Sequence, residues 1–254
     1  MFSNAIVRTP GKSIVEGLTD SKALGTPNYE QSIIQHQLYI DSLKKCGLDV
    51  LVLEPCEEYP DSTFLEDVAL ITPNCAVITR PGVHSRRGEV KEIESVLRNR
   101  FINIEAIVAP GAIEGGDIMM VGNHYYIGLS NRTNLEGARQ IIKILNEYGM
   151  SGSTISLNEN LHLKTGLAYL ENNNLVVSGE FINNAIFERY NSIEIPKIES
   201  YAANCIWING SVIIPTGYPV TKEKIMNAGY LVIETDVSEF QKLDGGISCL
   251  SLRY

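Results

Sequence analysis

A thiol, an imidazole and several carboxylates stand at matching places along this chain. Cys249 lies in the run Leu243-Asp244-Gly245-Gly246-Ile247-Ser248-Cys249-Leu250-Ser251-Leu252-Arg253, which reads as a glycine-flexed strand presenting one sulfur beside small polar neighbours. A cysteine in an apolar strand is ordinarily an inert core residue, and it becomes a nucleophile only where its surroundings favour the thiolate. Here the surroundings are earlier strand starts that deliver Glu66 and Asp67, Glu114 and Asp117, His162, and Asn204 where Cys249 sits in the last one. Taken singly, each has a structural explanation: Asp67 capping a turn, Asp117 satisfying glycine-loop amides, His162 packing in a strand. Taken together they are costly to bury unless they pair or serve chemistry. Their types suit a nucleophile, a proton carrier and acceptors for a cation.

The elements that must position these residues recur. Residues 64–78, 113–128, 161–177 and 203–214 each read as strand, Asn-containing turn and strand, and a fifth copy opens at Gly245 and ends with the chain. Helical stretches separate the hairpins from further short strands. Residues 29–46 carry Ile33, His36, Ile40 and Leu43 on one face, with His36 expected as a satisfied core histidine. Residues 85–97 present Val90, Ile93 and Leu97, and residues 133–148 open on a Thr133/Glu136 capping box and stop at Gly149. A shorter helix capped by Thr221 runs through Met226, and residues 180–190 make a poorer one. Strands are expected over 4–8, 49–53, 104–108, 153–157, 193–195 and 230–234. Between them, residues 11–27 form a long loop without periodicity, a length that suits a lid or binding loop. Modules of hairpin, helix and strand cannot each bury both faces alone. Stacked about an axis they can, so a closed radial array in one domain, residues 1–254, is expected, with the polar residues at the strand starts converging on its centre.

Composition narrows the partners. With 254 residues, 44% hydrophobic and 20% charged, the chain is an ordinary globular protein. A net charge of -9 disfavours nucleic acid and leans toward a cationic small molecule. Five cysteines without a Cys-x-x-Cys pair, and a first ten residues lacking the apolar core of a signal peptide, point to a cytoplasmic setting. No run approaches a membrane span. Cys46, Cys56, Cys75, Cys205 and Trp207 read as packing residues, and His84 and His124 lack metal-ligand spacing.

The runs Pro60-Asp61-Ser62-Thr63-Phe64-Leu65-Glu66-Asp67, Glu114-Gly115-Gly116-Asp117, His162-Leu163-Lys164-Thr165-Gly166 and Asp244-Gly245-Gly246-Ile247-Ser248-Cys249 occur in this order. With the compact length and Ser130-Asn131-Arg132-Thr133-Asn134, they resemble the bacterial type of the dimethylarginine dimethylaminohydrolase family. That family belongs to the guanidine-modifying pentein superfamily, and the likeness covers essentially the whole chain. It implies an α/β fold, a five-bladed β/α propeller with a pseudo-fivefold repeat of ββαβ modules. It also implies hydrolysis of N-omega-methylated L-arginine to L-citrulline and methylamine or dimethylamine, with no metal and no organic cofactor.

The residue types fit the implied chemistry. Three nitrogens share the charge of a guanidinium, so its carbon is a poor electrophile and a thiolate is a suitable nucleophile. By resemblance Cys249 attacks to give a covalent S-alkylthiouronium, His162 protonates the leaving amine and then activates water, and Glu114 orients His162. Asp67 and Glu66 accept the guanidinium, Asp61 and the backbone carbonyls of Leu18 and Leu243 take other donors, and Arg86 and Arg132 receive the α-carboxylate. The acidic lining opposes ionisation of Cys249, so a resting thiol is expected until a bound guanidinium brings positive charge. A homodimer is an assembly the resemblance leaves open. The competing readings are another guanidine enzyme of the superfamily, such as an arginine deiminase or amidinotransferase, a non-catalytic propeller that binds a partner, and an acyl-transferring Cys-His hydrolase. The last would need an oxyanion hole rather than an acid-lined site.

Overall fold

Short apolar runs that are buried on both faces become the central strands of five three-stranded sheets, each flanked by one antiparallel and one parallel neighbour. The computed structural model describes residues 1–254. In chain order its first elements are β1 (Asn4–Arg8), α1 (Tyr29–Lys45), β2 (Asp49–Leu53), β3 (Ala69–Ile71), β4 (Ala76–Ile78), α2 (Val90–Arg98) and β5 (Ile104–Ala106). Next come β6 (Ile118–Val121), β7 (His124–Leu129), α3 (Leu135–Glu147), β8 (Ser151–Ser156), β9 (Leu167–Tyr169), β10 (Asn174–Val177) and β11 (Asn191–Glu194). The chain finishes with β12 (Ile206–Ile208), β13 (Ser211–Pro215), α4 (Pro219–Asn227), β14 (Leu231–Thr235), α5 (Ser238–Gln241) and β15 (Leu252–Arg253).

Contacts divide the chain into two compact units. The larger comprises Met1–Leu65 and Gly166–Tyr254, and the smaller Glu66–Thr165. The smaller unit holds the sheets β3-β4-β5 and β6-β7-β8. In the first, Leu70 faces Val77 across the antiparallel pair while Val77 faces Glu105 across the parallel one. Its core joins Val77, Ile118, Tyr125 and Ile127 to Ala138, Ile141 and Leu145 of α3, a spacing that sets one helix face on the sheet. Leu145 is fully buried, so Leu145→Ala would cost about 2 to 5 kcal/mol.

The larger unit holds β9-β10-β11, β12-β13-β14 and β15-β1-β2. In the last of these the order is permuted, because the C-terminal β15 supplies the antiparallel strand and β1, α1 and β2 follow from the N-terminus. One core gathers Ala5, Val7, Ile14, Tyr39, Leu43, Phe240 and Ile247, and a second gathers Val176, Ile195, Val212, Ile214 and Ile225. No helix is long and apolar enough to cross a membrane.

Helix α1 matches the expected span, with the Asn28 side chain accepting from Gln31 N at 2.9 Å. Elsewhere local signals are overridden. The Thr133 capping box is not used: α3 starts at Leu135, and Asn134 caps it by accepting from Gly137 N at 2.8 Å. Thr221 lies inside α4 and donates to Glu199 instead of capping, because Pro219 already occupies the first turn. Residues 180–190 form no α-helix. They make the 3-10 turns Gly179–Phe181 and Ala185–Phe187, separated by Asn183 at φ 58, a left-handed residue that a helix does not accommodate. The third module is therefore ββ, turns and β rather than ββαβ.

His36 is a core residue but not a satisfied one. It is 2% exposed, packs against Phe240 with ring centroids 6.5 Å apart, and its Nε2 has no hydrogen-bond partner. Burial lowers its pKa to about 4, so the ring is neutral at ordinary pH.

Candidate active site

Each sheet's antiparallel outer strand is preceded by a 3-10 turn, and these turns carry the chemistry. The turns are Leu65–Val68, Gly115–Asp117, Leu163–Thr165, Lys197–Ala203 and Ser248–Leu250. Cys249 thus sits in a turn and not on the strand expected for it, and β15 begins only at Leu252. The turns close with local amide-to-carbonyl bonds, including Asp117 N to Glu114 O, Thr165 N to His162 O and Cys249 N to Gly246 O. With three residues per 3-10 turn, successive side chains are set about 120° apart, whereas a strand would send alternate residues to opposite faces.

In the smaller unit, Glu114 and His162 form the central pair. His162 Nε2 donates to Glu114 Oε2 at 2.8 Å, and Glu114 Oε1 accepts from Gly82 N at 3.0 Å. Thr133 Oγ1 accepts from Glu114 N at 3.2 Å, which explains why that threonine is unavailable as a cap. Arg132 Nη1 stands 3.8 Å from Glu114 Oε1. The turn carrying Arg132 is held by Ser130, whose hydroxyl accepts from Arg132 N at 2.9 Å and donates to Asp117 Oδ2 at 2.7 Å. Asp117 Oδ1 in turn accepts from Leu163 N at 2.9 Å, fixing the residue next to His162.

Two glycines allow these turns to meet. A Cβ on Gly115 would lie 1.9 Å from the Glu66 carbonyl oxygen, and one on Gly116 would lie 2.9 Å from the His162 ring. Gly116 N also donates to Asp67 Oδ1 at 3.0 Å. Any side chain at 115 would force main chain apart, which ties Glu114-Gly115-Gly116-Asp117 to the site by space as well as by charge.

The remaining carboxylates are engaged by cations. Arg86 Nη1 donates to Asp67 Oδ2 at 2.7 Å, while Arg86 Nε and Nη2 grip Glu89 at 3.0 and 2.9 Å. Burial works against the Arg86 charge, but Glu89 and Asp67 hold its pKa well above the ordinary arginine value. Lys164 Nζ reaches Glu66 Oε1 at 2.6 Å. Sequence reasoning missed Glu89 and Lys164, although Glu89 lies three residues from Arg86 and Lys164 two from His162.

These charges set the protonation of the pair. Burial disfavours a charged His162, yet Asp67, Asp117 and the Glu114 bond outweigh it and raise the pKa to about 9. Burial likewise pushes Glu114 up, but the hydrogen bond and charge of His162, with Arg86 and Arg132, bring it to about 2. At neutral pH the pair is imidazolium and carboxylate. Asp117, fully buried, is shifted upward by burial despite its hydrogen bonds and the His162 charge. Asp67, Glu114 and His162 offer ligand atoms within 4.8 Å of one another, a spacing that could hold a metal ion. Those donors are already engaged by a proton and by Arg86, so a cation would have to displace both.

In the larger unit the thiol lies in the Ser248–Leu250 turn. Cys249 is 8% exposed, and Gly246 N donates toward its Sγ at 3.4 Å. Asn204 accepts from Ser248 N at 2.9 Å and donates to Ser248 Oγ at 3.2 Å, bracing the turn from the start of β12. Tyr201 OH donates to Gly245 O at 2.7 Å, and Arg253 Nη1 donates to Ser248 O at 3.1 Å. Burial, reinforced by the neighbouring Cys249, pushes the Tyr201 phenol well above its usual range and keeps it neutral.

The same unit holds Leu18, Asp61 and Leu243. Asp61 Oδ1 accepts from Leu18 N at 3.0 Å, and Gly17 packs against the Leu243 side chain. Residues 11–27 are not wholly irregular, since they contain the 3-10 turns Lys12–Glu16 and Lys22–Leu24, with Ile14 fully buried as an anchor.

The family model described as N,N dimethylarginine dimethylhydrolase, eukaryotic, matches residues 22–251. The curated N(G),N(G)-dimethylarginine dimethylaminohydrolase of Pseudomonas aeruginosa is 56% identical over all of both chains. A solved structure of that organism's enzyme, a C249S mutant complexed with citrulline, superposes with a TM-score of 0.99 at 55% identity, covering both chains completely. A dimethylarginine dimethylaminohydrolase H162G adduct with S-methyl-L-thiocitrulline superposes at 0.98, also at 55% identity and over 100% of each chain.

Proposed function

The chain belongs to the dimethylarginine dimethylaminohydrolase family, and from that membership we propose that it hydrolyses N-omega-methylated L-arginine to L-citrulline and methylamine or dimethylamine. It is a hydrolase of carbon–nitrogen bonds other than peptide bonds, and its ligand is a cationic small molecule. The observation that carries the reading is the His162–Glu114 pair, buried and charged, in a chain that also carries a cysteine turn of the family's type.

Cys249 is assigned as nucleophile. Its thiol gives up its proton to solvent once the cationic substrate is bound, the thiolate sulfur forms a bond to the guanidinium carbon, and the bond from that carbon to the methylated nitrogen breaks as His162 delivers a proton to the departing amine. An S-alkylthiouronium remains. His162, now neutral, takes one proton from water as the oxygen adds to the same carbon; cleavage of the carbon–sulfur bond then returns the Cys249 thiolate and releases citrulline, the second water proton passing to solvent. Glu114 holds Nε2, so Nδ1 is the nitrogen assigned to exchange protons with substrate. The pKa of about 9 favours the first half of the cycle, because the acid is already charged before substrate arrives.

Asp67 and Glu66 are assigned to the substrate guanidinium. Each carboxylate oxygen has two lone pairs, so sharing with Arg86, Lys164 and the Gly116 amide is chemically allowed. Arg132 and Arg86 are assigned to the α-carboxylate, with Arg86 also fixing Asp67 through their 2.7 Å bond. The α-ammonium has three donors and is assigned to Asp61 and the carbonyls of Leu18 and Leu243. In this reading the five sheets are blades of one five-bladed β/α propeller, residues 1–254 act as one catalytic domain, and the setting is cytoplasmic. The repeated strand order supports the propeller, and five thiols without a disulfide suit that compartment.

Purified protein incubated separately with asymmetric dimethylarginine, monomethylarginine, arginine and agmatine, with citrulline and released amine quantified, tests the assignment. Citrulline from the methylated substrates is expected. Turnover of arginine alone would transfer the protein to the deiminase reading, and no citrulline from any of them would end it.

A further inference from the structure

Resting on the reading above, we infer that Asp244 is a positioning residue for the reaction: its carboxylate fastens residues 18–21 to the turn that carries Leu243, setting the two backbone carbonyls assigned to the α-ammonium. The observation is a pattern of bonds inside the larger unit. Asp244 Oδ2 accepts from Asp20 N at 2.6 Å, and its other oxygen accepts from the Ser21 hydroxyl. Leu18 N donates to Asp61 at 3.0 Å, and Ser21 N donates to Thr19 Oγ1 at 2.8 Å. The peptide plane containing the Leu18 carbonyl is therefore bracketed by two amides that end on carboxylates, one on each side.

The backbone at 244 gives an independent reason to look at the side chain. Asp244 has φ 58, and the turn after α5 closes through Leu243 N and Gly245 N, which both donate to Phe240 O, at 2.9 and 3.0 Å. Glycine adopts this conformation without strain, whereas a residue with Cβ is disfavoured there. Glycine makes such a turn most readily, and aspartate is among the few other residues that visit this conformation. Aspartate adds two acceptors, and both end on residues 20 and 21. Further back, Glu57 takes the amides of Lys12 and Ser13 at 2.9 Å each, so residues 12–13, 18 and 20–21 are all tied by carboxylates from elsewhere in the chain.

The Asp244→Gly variant separates the two roles, because glycine suits the turn and cannot hold the segment. We expect its melting temperature to equal or exceed wild type, amide exchange of residues 18–21 to quicken, and KM for monomethylarginine to rise roughly tenfold with kcat changed far less. The KM effect should vanish for a methylated guanidine acid lacking the α-amino group. Ser21→Ala removes one of the bonds from the other side and should shift exchange and KM in the same direction by less. Unchanged exchange and KM in Asp244→Gly, or an equal KM rise for the substrate without the amino group, overturns the inference. A wild-type protein that releases no citrulline defeats the parent reading instead, and the exchange comparison then still decides whether Asp244 fastens the segment.

Discussion

His36 and His162 are both buried, yet the first is held near pKa 4 and the second near 9. His36, on α1 of the larger unit, packs against Phe240 and its Nε2 has no partner, so desolvation alone lowers its pKa and the ring stays neutral. Around His162, in the smaller unit, Asp67, Asp117 and Glu114 outweigh the same desolvation. Burial by itself does not determine the charge of a group; the placement of partners does. The smaller unit spends sequence on that placement, through Gly115, Gly116, Ser130 and Thr133, whereas the α1 core spends it on packing.

The largest effect should come from removing the proposed nucleophile. Cys249→Ser is expected to lower turnover by at least about a thousandfold while the melting temperature stays near wild type, and mass spectrometry of the wild type should trap an adduct on Cys249. Near-normal turnover in that variant would strip His162 of its assigned partner in the reaction.

Arg132→Ala probes the cation beside Glu114. It should weaken catalysis on methylated arginine by roughly 2 to 5 kcal/mol while affecting agmatine, which lacks the carboxylate, far less. Equal losses on both substrates would mean that Arg132 works only through Glu114, 3.8 Å away.

Glu114→Gln should make His162 behave more like His36. With the carboxylate gone, the His162 pKa must fall from about 9, moving the alkaline limb of kcat to lower pH and reducing kcat by about ten- to a hundredfold. NMR titration of the ring reads the shift directly, and an unmoved pKa would assign the elevation to Asp67 and Asp117.

The smallest effect concerns stability, where the two histidines act in opposite directions. His162 is raised in the folded state, so its contribution is fully present below the unfolded value near 6.5 and is lost as pH rises through about 9. His36 is lowered, so the unfolded chain takes up a proton first and stability falls as pH drops from near 6.5 toward 4. His36→Phe should flatten the acid side alone, read by denaturant unfolding at pH 4.5 and 7. An unchanged acid slope would show that His36 is not the group responsible.

Much of this arrangement is legible in the chain itself. The apolar spacing of α1, the first four hairpins, and the runs holding Glu114, His162 and Cys249 are local patterns, and local physics preserves them. The losses occurred where a distant partner decided the outcome. Thr133 has the sequence of a cap, but Glu114 takes its hydroxyl, and Thr221 is claimed by Glu199 in the same way. The 3-10 turns have no hydrophobic period, so Cys249 read as strand. His36 lay on an apolar face as expected, but nothing in a sequence reveals that a ring nitrogen will lack a partner.

The contact between position 115 and the Glu66 carbonyl carries a consequence for how such a site can change over generations. Most crowded positions can be rescued by shrinking a neighbouring side chain, so lineages drift through paired substitutions. Here the obstacle is main chain, 1.9 Å from where a Cβ would sit, and no allele at residue 66 removes it. A saturation library should return glycine alone at 115. Descendants of this protein can alter substrate preference through the surrounding side chains, but the two turns must be inherited together.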